Sequence, residues 1–226
     1  MPEQNWREWF EQAWAFREES LYPSLFGSLG NGIYPLDADL FATIFGQDSI
    51  DPRWLTHGVF ECPPTAGRLS WLYVSSGLSN AWEADSPTPE AVSGLGCEFL
   101  FESCEQSRWA LIFMQRMVAF QQLLAANRFP GKPPLHLWDR IPLRSPIDGS
   151  ASALTWILVT PSVAFGGTRQ LPSGCFEFLQ FVAITEDEAG YARRHGGNEL
   201  LELLVSRNAA PVADANRRTI LSVSAE

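Results

Sequence analysis

The stretch RLSWLYVSSGLSN, Arg68 to Asn80, decides how this chain reads. Its Leu69 to Ser75 portion is rich in aromatic and branched residues, which suit a pleated and half-buried backbone, and it runs into a Ser/Gly turn. Leu69, Trp71 and Tyr73 alternate with Ser70, Leu72 and Val74, so both faces of the predicted strand are largely apolar. Such a strand belongs inside a sheet. Upstream, His57 to Cys62 reads as a second strand, and the turn-forming PPTAG between the two predicts a hairpin.

Downstream lies SGLGCEFLFE, Ser93 to Glu102, which starts from a Ser/Gly turn. A strand over Gly96 to Cys104 places Cys97, Phe99, Phe101 and Ser103 on one face and Glu98, Leu100, Glu102 and Cys104 on the other. Between the two strands, Ser79 to Gly94 contains Pro87, Pro89 and the acidic Glu83, Asp85 and Glu90. This is an exposed loop too long for a simple turn, and loops of that length often carry function.

The flanking segments alternate between helical and extended patterns. Trp6, Trp9, Phe10, Ala13 and Trp14 recur at helical spacing within Glu3 to Glu19, with Glu8, Glu11, Gln12, Arg17 and Glu18 assigned to the other faces. That aromatic stripe is predicted to dock on the domain. Leu21 to Pro35 is punctuated as a loop, and Asp37 can cap a helix running to Phe45. Arg108 to Asn127 reads as the longest helix, with an apolar stripe so wide that little of it should face water. Phe129 to Ser152 is Pro-, Gly- and Ser-punctuated, with at most a short strand at Leu137 to Leu143. Leu154 to Thr160 and Cys175 to Thr185 are strands by content; Thr185 to Glu188 has the form of a capping box opening a helix that ends near Gly196. Asn198 caps a last helix, Glu199 to Ser206, and Thr219 to Val223 adds a final strand.

With 226 residues, 46% of them hydrophobic, the chain can bury one sizeable core, and no repeat or linker divides it. The expected class is α/β in the α+β sense: a single domain over 1–226, with a helical part at 1–50 and, from 55 on, a mixed sheet of about five to seven strands packed with helices. A formal charge of −10 argues against a surface that tracks nucleic-acid phosphates and suits a basic partner. The N-terminus lacks the basic start and apolar run of a secretory signal, which predicts a cytoplasmic product. The most apolar stretch, Trp109 to Leu124, is broken by Gln115, Arg116, Gln121 and Gln122, so it reads as a buried helix and not a membrane span. Cys62, Cys97, Cys104 and Cys175 form no CxxC pair and no cluster with His57, His136 or His195; reduced thiols are expected, and nothing calls for a metal or a cofactor.

Taken in order, these segments resemble the suppressor of fused domain family. The most specific parts are Tyr-Val-Ser-x-Gly-x-Ser, Tyr73 to Ser79, and Gly-x-Gly-x-Glu-x-x-Phe, Gly94 to Phe101. Phe176 to Thr185 and the Leu-rich helix from Gly197 add support within a match running from about Leu69 to Leu221. The resemblance implies a mixed α/β domain that binds other polypeptides and has no catalytic site. Animal members restrain hedgehog-pathway transcription factors; bacterial ones look like stand-alone domains, many thought to be immunity proteins that neutralise toxins. With no second domain of the animal type in view, the bacterial role is favoured, with a protein partner, possibly a basic toxin domain.

Carried over by position, the family's Tyr falls on Tyr73 and its Glu on Glu98. Together with Asp85 and Glu102 these give a candidate partner-binding patch, the ring supplying contact area and exposed carboxylates selecting basic groups. Cys97, where many relatives carry an aromatic, and Glu102, where many carry Arg, depart from the pattern and imply a different partner. The competing assignment makes Tyr73 a core aromatic and Glu98 and Glu102 a solvated strand face. A hydrolase is the alternative function, built from Asp51, His57 and Cys62 or from His195 with Glu186 and Glu188, groups without motif support that can simply face water.

Overall fold

In the computed structural model, residues 2–84, 86 and 88–221 are described, with side chains from residue 6 onward. The chain opens with helix α1 (Pro2–Ala15), which passes through a π-helical turn (Phe16–Leu21) directly into α2 (Tyr22–Phe26). The predicted helix therefore continues to Phe26, well into the segment read as a loop. A short strand β1 (Ile33–Pro35) then leads to α3 (Ala38–Phe45), whose predicted cap is formed by Asp37 accepting from the Leu40 amide at 2.7 Å.

After a 3-10 turn at Pro52–Thr56, β2 (Gly58–Cys62) and β3 (Trp71–Ser76) form the predicted antiparallel hairpin. β4 (Val92–Ser103) follows, then the long helix α4 (Arg108–Ala125), β5 (Arg140–Pro142), β6 (Leu154–Pro161), β7 (Arg169–Leu171) and β8 (Gly174–Thr185). Two helices, α5 (Glu186–His195) and α6 (Gly197–Ser206), and a two-residue strand β9 (Val212–Ala213) complete the order. Thr185 and Glu188 form the predicted capping box of α5. Among the described residues the last strand is at Val212–Ala213; Thr219 to Leu221 are not in a strand, and the remainder of the segment predicted there lies outside the described residues.

Among the described residues the sheet has nine strands, with path β1-β2-β3-β4-β8-β6-β5, β7 on β8 and β9 on β4. All pairings are antiparallel except β4 with β8 and β4 with β9, which makes the sheet mixed and the fold α+β. Five strands are longer than three residues; the others are too short to leave an alternating pattern in the sequence.

Alternation in β3 and β4 sends side chains to two cores. Tyr73, Phe99 and Phe101 join Phe113, Met117 and Phe181 beneath α4, and Leu72, Val74 and Leu100 join Tyr22, Phe26 and Phe178 beneath the N-terminal helices. α5 and α6 cover the same second face farther along, over Leu158, Val182 and Ile184. The glutamines that interrupt the apolar run of α4 are spent on tertiary contacts. Gln115 donates to the Pro35 carbonyl at 2.9 Å, Gln121 accepts from the Leu135 amide at 2.8 Å, and Gln122 meets His57 at 2.6 Å. No helix of the described residues is long and apolar enough to cross a membrane.

Candidate functional site

Glu98 stands at the centre of the two motifs, and it is fully buried. Its alternation with Leu100 points it to the N-terminal face of the sheet, toward the turn that follows β3. One carboxylate oxygen accepts from the Gly77 amide at 3.0 Å, the Ser79 amide at 2.9 Å and the Ser79 hydroxyl at 2.7 Å; the other accepts from the Ser75 hydroxyl. The Ser75 oxygen in turn accepts from the Phe99 amide at 2.7 Å, so the carboxylate and the adjacent strand are bonded as one piece.

The charge is matched by Arg17, also buried, whose Nη1 lies 3.7 Å from the Glu98 carboxylate. Arg17 donates to Ser76 Oγ at 3.1 Å, Ser79 Oγ at 2.9 Å and Asn80 Oδ1 at 2.8 Å, while Glu18 accepts from Ser76 at 2.5 Å. Burying an ion pair is tolerable only when the remaining donors and acceptors are satisfied, and here the SSGLSN run, Ser75 to Asn80, supplies the hydroxyls and amides that do so.

Two glycines let the backbone close around this node. Gly77 has φ 128° and a Cβ there would lie 2.4 Å from the His57 ring. Gly94 has φ 57°, and its Cβ would stand 2.5 Å from the Leu78 carbonyl oxygen and 2.6 Å from that of Asn80. The start of β4 is thereby seated on the turn, with the Leu95 amide donating to Leu78 O at 2.8 Å and Ser93 Oγ to Ser79 O at 2.7 Å. The motif's fixed spacing is the spacing of this junction.

Outside the node the same turn walls a cleft of about 480 Å³. His57, Leu78, Trp82, Leu95 and Gln122 line it, and Arg53 stands at its edge. Arg53 pairs with Asp51 at 2.6 Å and Glu83 at 2.8 Å, and its guanidinium lies 5.8 Å from the Trp82 ring centre. Hydrogen bonds from Arg53 hold the Asp51 carboxyl below its ordinary range. Burial pushes the His57 imidazole down to about 4. The neutral ring fits its contacts: Nδ1 is 3.2 Å from the Arg53 carbonyl, to which it donates, leaving Nε2 to accept from Gln122. The stripe of α1 docks on the outer side of this wall, the Phe10 ring tilted against that of Trp82 with centres 4.3 Å apart and Trp6 Nε1 donating to the Ala84 carbonyl at 3.1 Å.

The predicted patch is corrected: Glu98 and Glu102 do not face solvent. Glu98 is 0% and Glu102 4% exposed, because both point into the face that the N-terminal segment covers. Burial raises the pKa of Glu102, which accepts from Ser70 Oγ at 2.5 Å. Tyr73 is sealed beneath α4, where its hydroxyl accepts from the Ser107 amide at 2.8 Å and donates to the Ser107 carbonyl at 3.2 Å. Tyr73 and Glu98 therefore sit on opposite faces of the sheet and do not share a rim. Asp85 lies outside the described residues. The loop read as exposed from Ser79 is buried through Ala81.

Nor does the fold assemble the groups weighed for hydrolysis. His57 precedes β2 and Cys62 ends it, five residues on, a separation of about 17 Å along a strand. Desolvation pushes the Cys62 thiol up to about 12, which leaves it protonated. Glu188, expected to face water, is buried and bound to Arg217 at 2.6 Å, whereas His195 is exposed and stacks on Tyr191. Among the described residues no group of three or more His, Cys, Asp or Glu side chains could hold a metal ion.

Arg17 was missed as a site residue. Its position, four after Ala13 and seven after Phe10, is that of the buried stripe, and that spacing was the available signal.

A mixed sheet between helical layers, with a buried glutamate clamping the turn after a central strand, defines a class of α+β domain built around its motif. The family described as Suppressor of fused protein (SUFU) matches residues 53–218, and the chain belongs to it. Three solved structures share the fold. A putative SUFU homologue from Neisseria gonorrhoeae is 15% identical with a TM-score of 0.59, over 96% of this chain and 98% of that one. A chain of the Sufu-Fu complex is 19% identical with a TM-score of 0.56, over 82% of this chain and 93% of that one. Drosophila Suppressor of Fused is likewise 19% identical with a TM-score of 0.56, over 83% of this chain but only 52% of that one. No curated protein matches the chain by sequence.

Proposed function

We propose that this chain is a protein-binding module whose docking surface is the cleft walled by residues 77–84, and that it serves as a bacterial immunity protein holding a toxin domain in an inactive complex. Membership of the suppressor of fused family supports the binding role, as does the likeness to a chain solved in the Sufu-Fu complex. The observation that carries the reading is the node behind the wall. Arg17, Glu98 and the serines of the motif are all spent on fixing the turn that walls the cleft, which is how a preorganised binding face is built.

The rim chemistry fits a basic partner with apolar anchors. Val92 is 65% and Leu95 37% exposed beside the cleft, and Glu83 and Asp51 bracket Arg53 at its edge. A partner arginine can take the place of Arg53 between those carboxylates, and the net charge of −10 steers it there. In this reading Tyr73, Glu98 and Glu102 act from behind the surface, by holding the strands and the turn in place.

The test uses exposed residues. The purified chain and a Val92→Asp/Leu95→Asp variant are used as bait in host extract, and captured polypeptides are then titrated individually by calorimetry. The expected result is one captured polypeptide that arrests growth when expressed alone, is relieved by the wild-type chain, and binds the variant at least tenfold more weakly. Equal affinity for both baits would refute the cleft. A captured polypeptide without toxicity would refute the immunity role.

A further inference from the structure

A second groove, of about 600 Å³, lies between α3, the first turns of α4 and residues 141–149. Its floor is apolar: Phe113, Met117 and Ile147 belong to the core, and Phe120 stacks on Phe45 with the rings nearly parallel at 6.1 Å. Ile44 stands at its edge with 43% of its surface exposed. The part of α4 that lines it, from Trp109 to Phe120, is about 16 Å long at the helical rise per residue, which accommodates some three turns of a partner helix or five residues of extended chain.

The charge around this groove runs against that of the whole molecule. Arg116, Lys132 and Arg144 line it, all three exposed, and among the described residues none takes part in an ion pair. The groove's carboxylate, Asp148, is already occupied. It accepts from the amides of Ser150 at 3.0 Å, Ser152 at 3.2 Å and Ala151 at 3.5 Å, and these bonds hold it below the usual carboxylate range. Arg144 is fixed at the rim by a left-handed backbone with φ 63°, a conformation that a residue other than glycine holds only at a cost. On a chain of net charge −10, three open cations thus surround an apolar trough.

We propose that this groove is a second docking site and that it takes an acidic peptide segment, whose aliphatic or aromatic side chains enter the trough while its carboxylates meet Arg116, Lys132 and Arg144. Apolar anchors supply affinity, and the unmatched cations select the sign of the partner and its register. The site is independent of the cleft at residues 77–84: it uses a different stretch of α4, calls for the opposite charge, and stands or falls without it.

A random-peptide display library is panned on the wild-type chain, with depletion on an Arg116→Glu/Lys132→Glu variant. Both substitutions are at exposed positions, and amide NMR spectra establish that the variant keeps the fold. Selected peptides should carry net negative charge and two or more large apolar residues. Their binding should perturb the amides of residues 112–120 and 141–149, weaken with salt, and fall about tenfold or more in affinity on the variant. A separate Ile44→Glu variant should weaken the same peptides. The proposal is overturned if no peptide is enriched, if the enriched peptides are neutral or basic, if they perturb other amides, or if charge reversal leaves their affinity unchanged. Displacement of the peptides by laurate at lower concentration than by their own unlabelled form would also overturn it, assigning the groove to small anionic amphiphiles.

Discussion

Replacing Glu98 by alanine tests whether the motif glutamate is a clamp. The substitution removes the acceptor for the Gly77 and Ser79 amides and for the hydroxyls of Ser75 and Ser79, and leaves the buried Arg17 without its fully buried counter-charge. Each orphaned buried amide costs about 1–3 kcal/mol, and a stranded partner of a buried ion pair about 3–5 kcal/mol. These contributions overlap, and Glu18, 3.4 Å from Arg17, relieves part of the second. A loss of about 4 kcal/mol is expected, a large share of the stability of a domain of this size. Glu98→Gln keeps one oxygen for the two amides but loses the charge and the acceptor for the Ser75 hydroxyl, so about half that loss is expected. Removing the charge from both partners, as in Arg17→Met with Glu98→Gln, should be less damaging than the sum of the single changes, because neither member is then left alone. Urea unfolding followed by tryptophan fluorescence measures the wild type and these four variants on one scale. A loss under about 1 kcal/mol for the alanine variant, or strict additivity in the double-mutant cycle, would refute the clamp.

Three further outcomes are expected. His57 has a folded pKa of about 4 against an ordinary 6.5, so the unfolded chain binds the extra proton between those values. Stability is therefore full above pH 6.5 and declines as pH falls toward 4, by on the order of 3 kcal/mol. Glu102, whose pKa is raised, works in the opposite direction, so the diagnostic is a flatter unfolding-versus-pH profile in His57→Gln. Gly94→Ala combines a left-handed backbone with a Cβ 2.5 Å from a backbone oxygen, and should lower stability by about 3 kcal/mol or more in thermal unfolding; a change under 1 kcal/mol would contradict the junction described. Tyr73→Phe leaves the Ser107 amide without its acceptor while the Ser107 carbonyl keeps its helical donors, so a loss of about 1–2 kcal/mol is expected by the same assay, with partner affinity unchanged.

The strands were legible where their patterns are long. β2, β3, β4, β6 and β8 each carry enough branched and aromatic residues to declare themselves, and the Thr185 and Glu188 capping box marks its helix by sequence alone. β5 falls within the short strand expected at Leu137 to Leu143, whereas β1, β7 and β9 are three residues or fewer and their pairing is imposed by neighbours. At the site, the motif residues were found but their exposure was misjudged. Charge outweighed position: Glu98 and Glu102 alternate with Leu100 on a face paired with Leu72 and Val74, and Arg17 falls on the stripe of Phe10 and Ala13. A charged residue in phase with apolar ones signals a buried pair, but finding its partner takes the third dimension, since Arg17 and Glu98 lie far apart along the chain.

Trp82 is shared property. One side of its ring system receives Trp6 and Phe10 of α1, and the indole also lines the cleft beneath Arg53. Anything that enters the cleft and shifts this indole must change the grip of the opening helix, and by thermodynamic reciprocity the seating of that helix changes the affinity of whatever enters. The opening helix and any occupant of the cleft thus lean on one indole, whose emission would report a displacement by either.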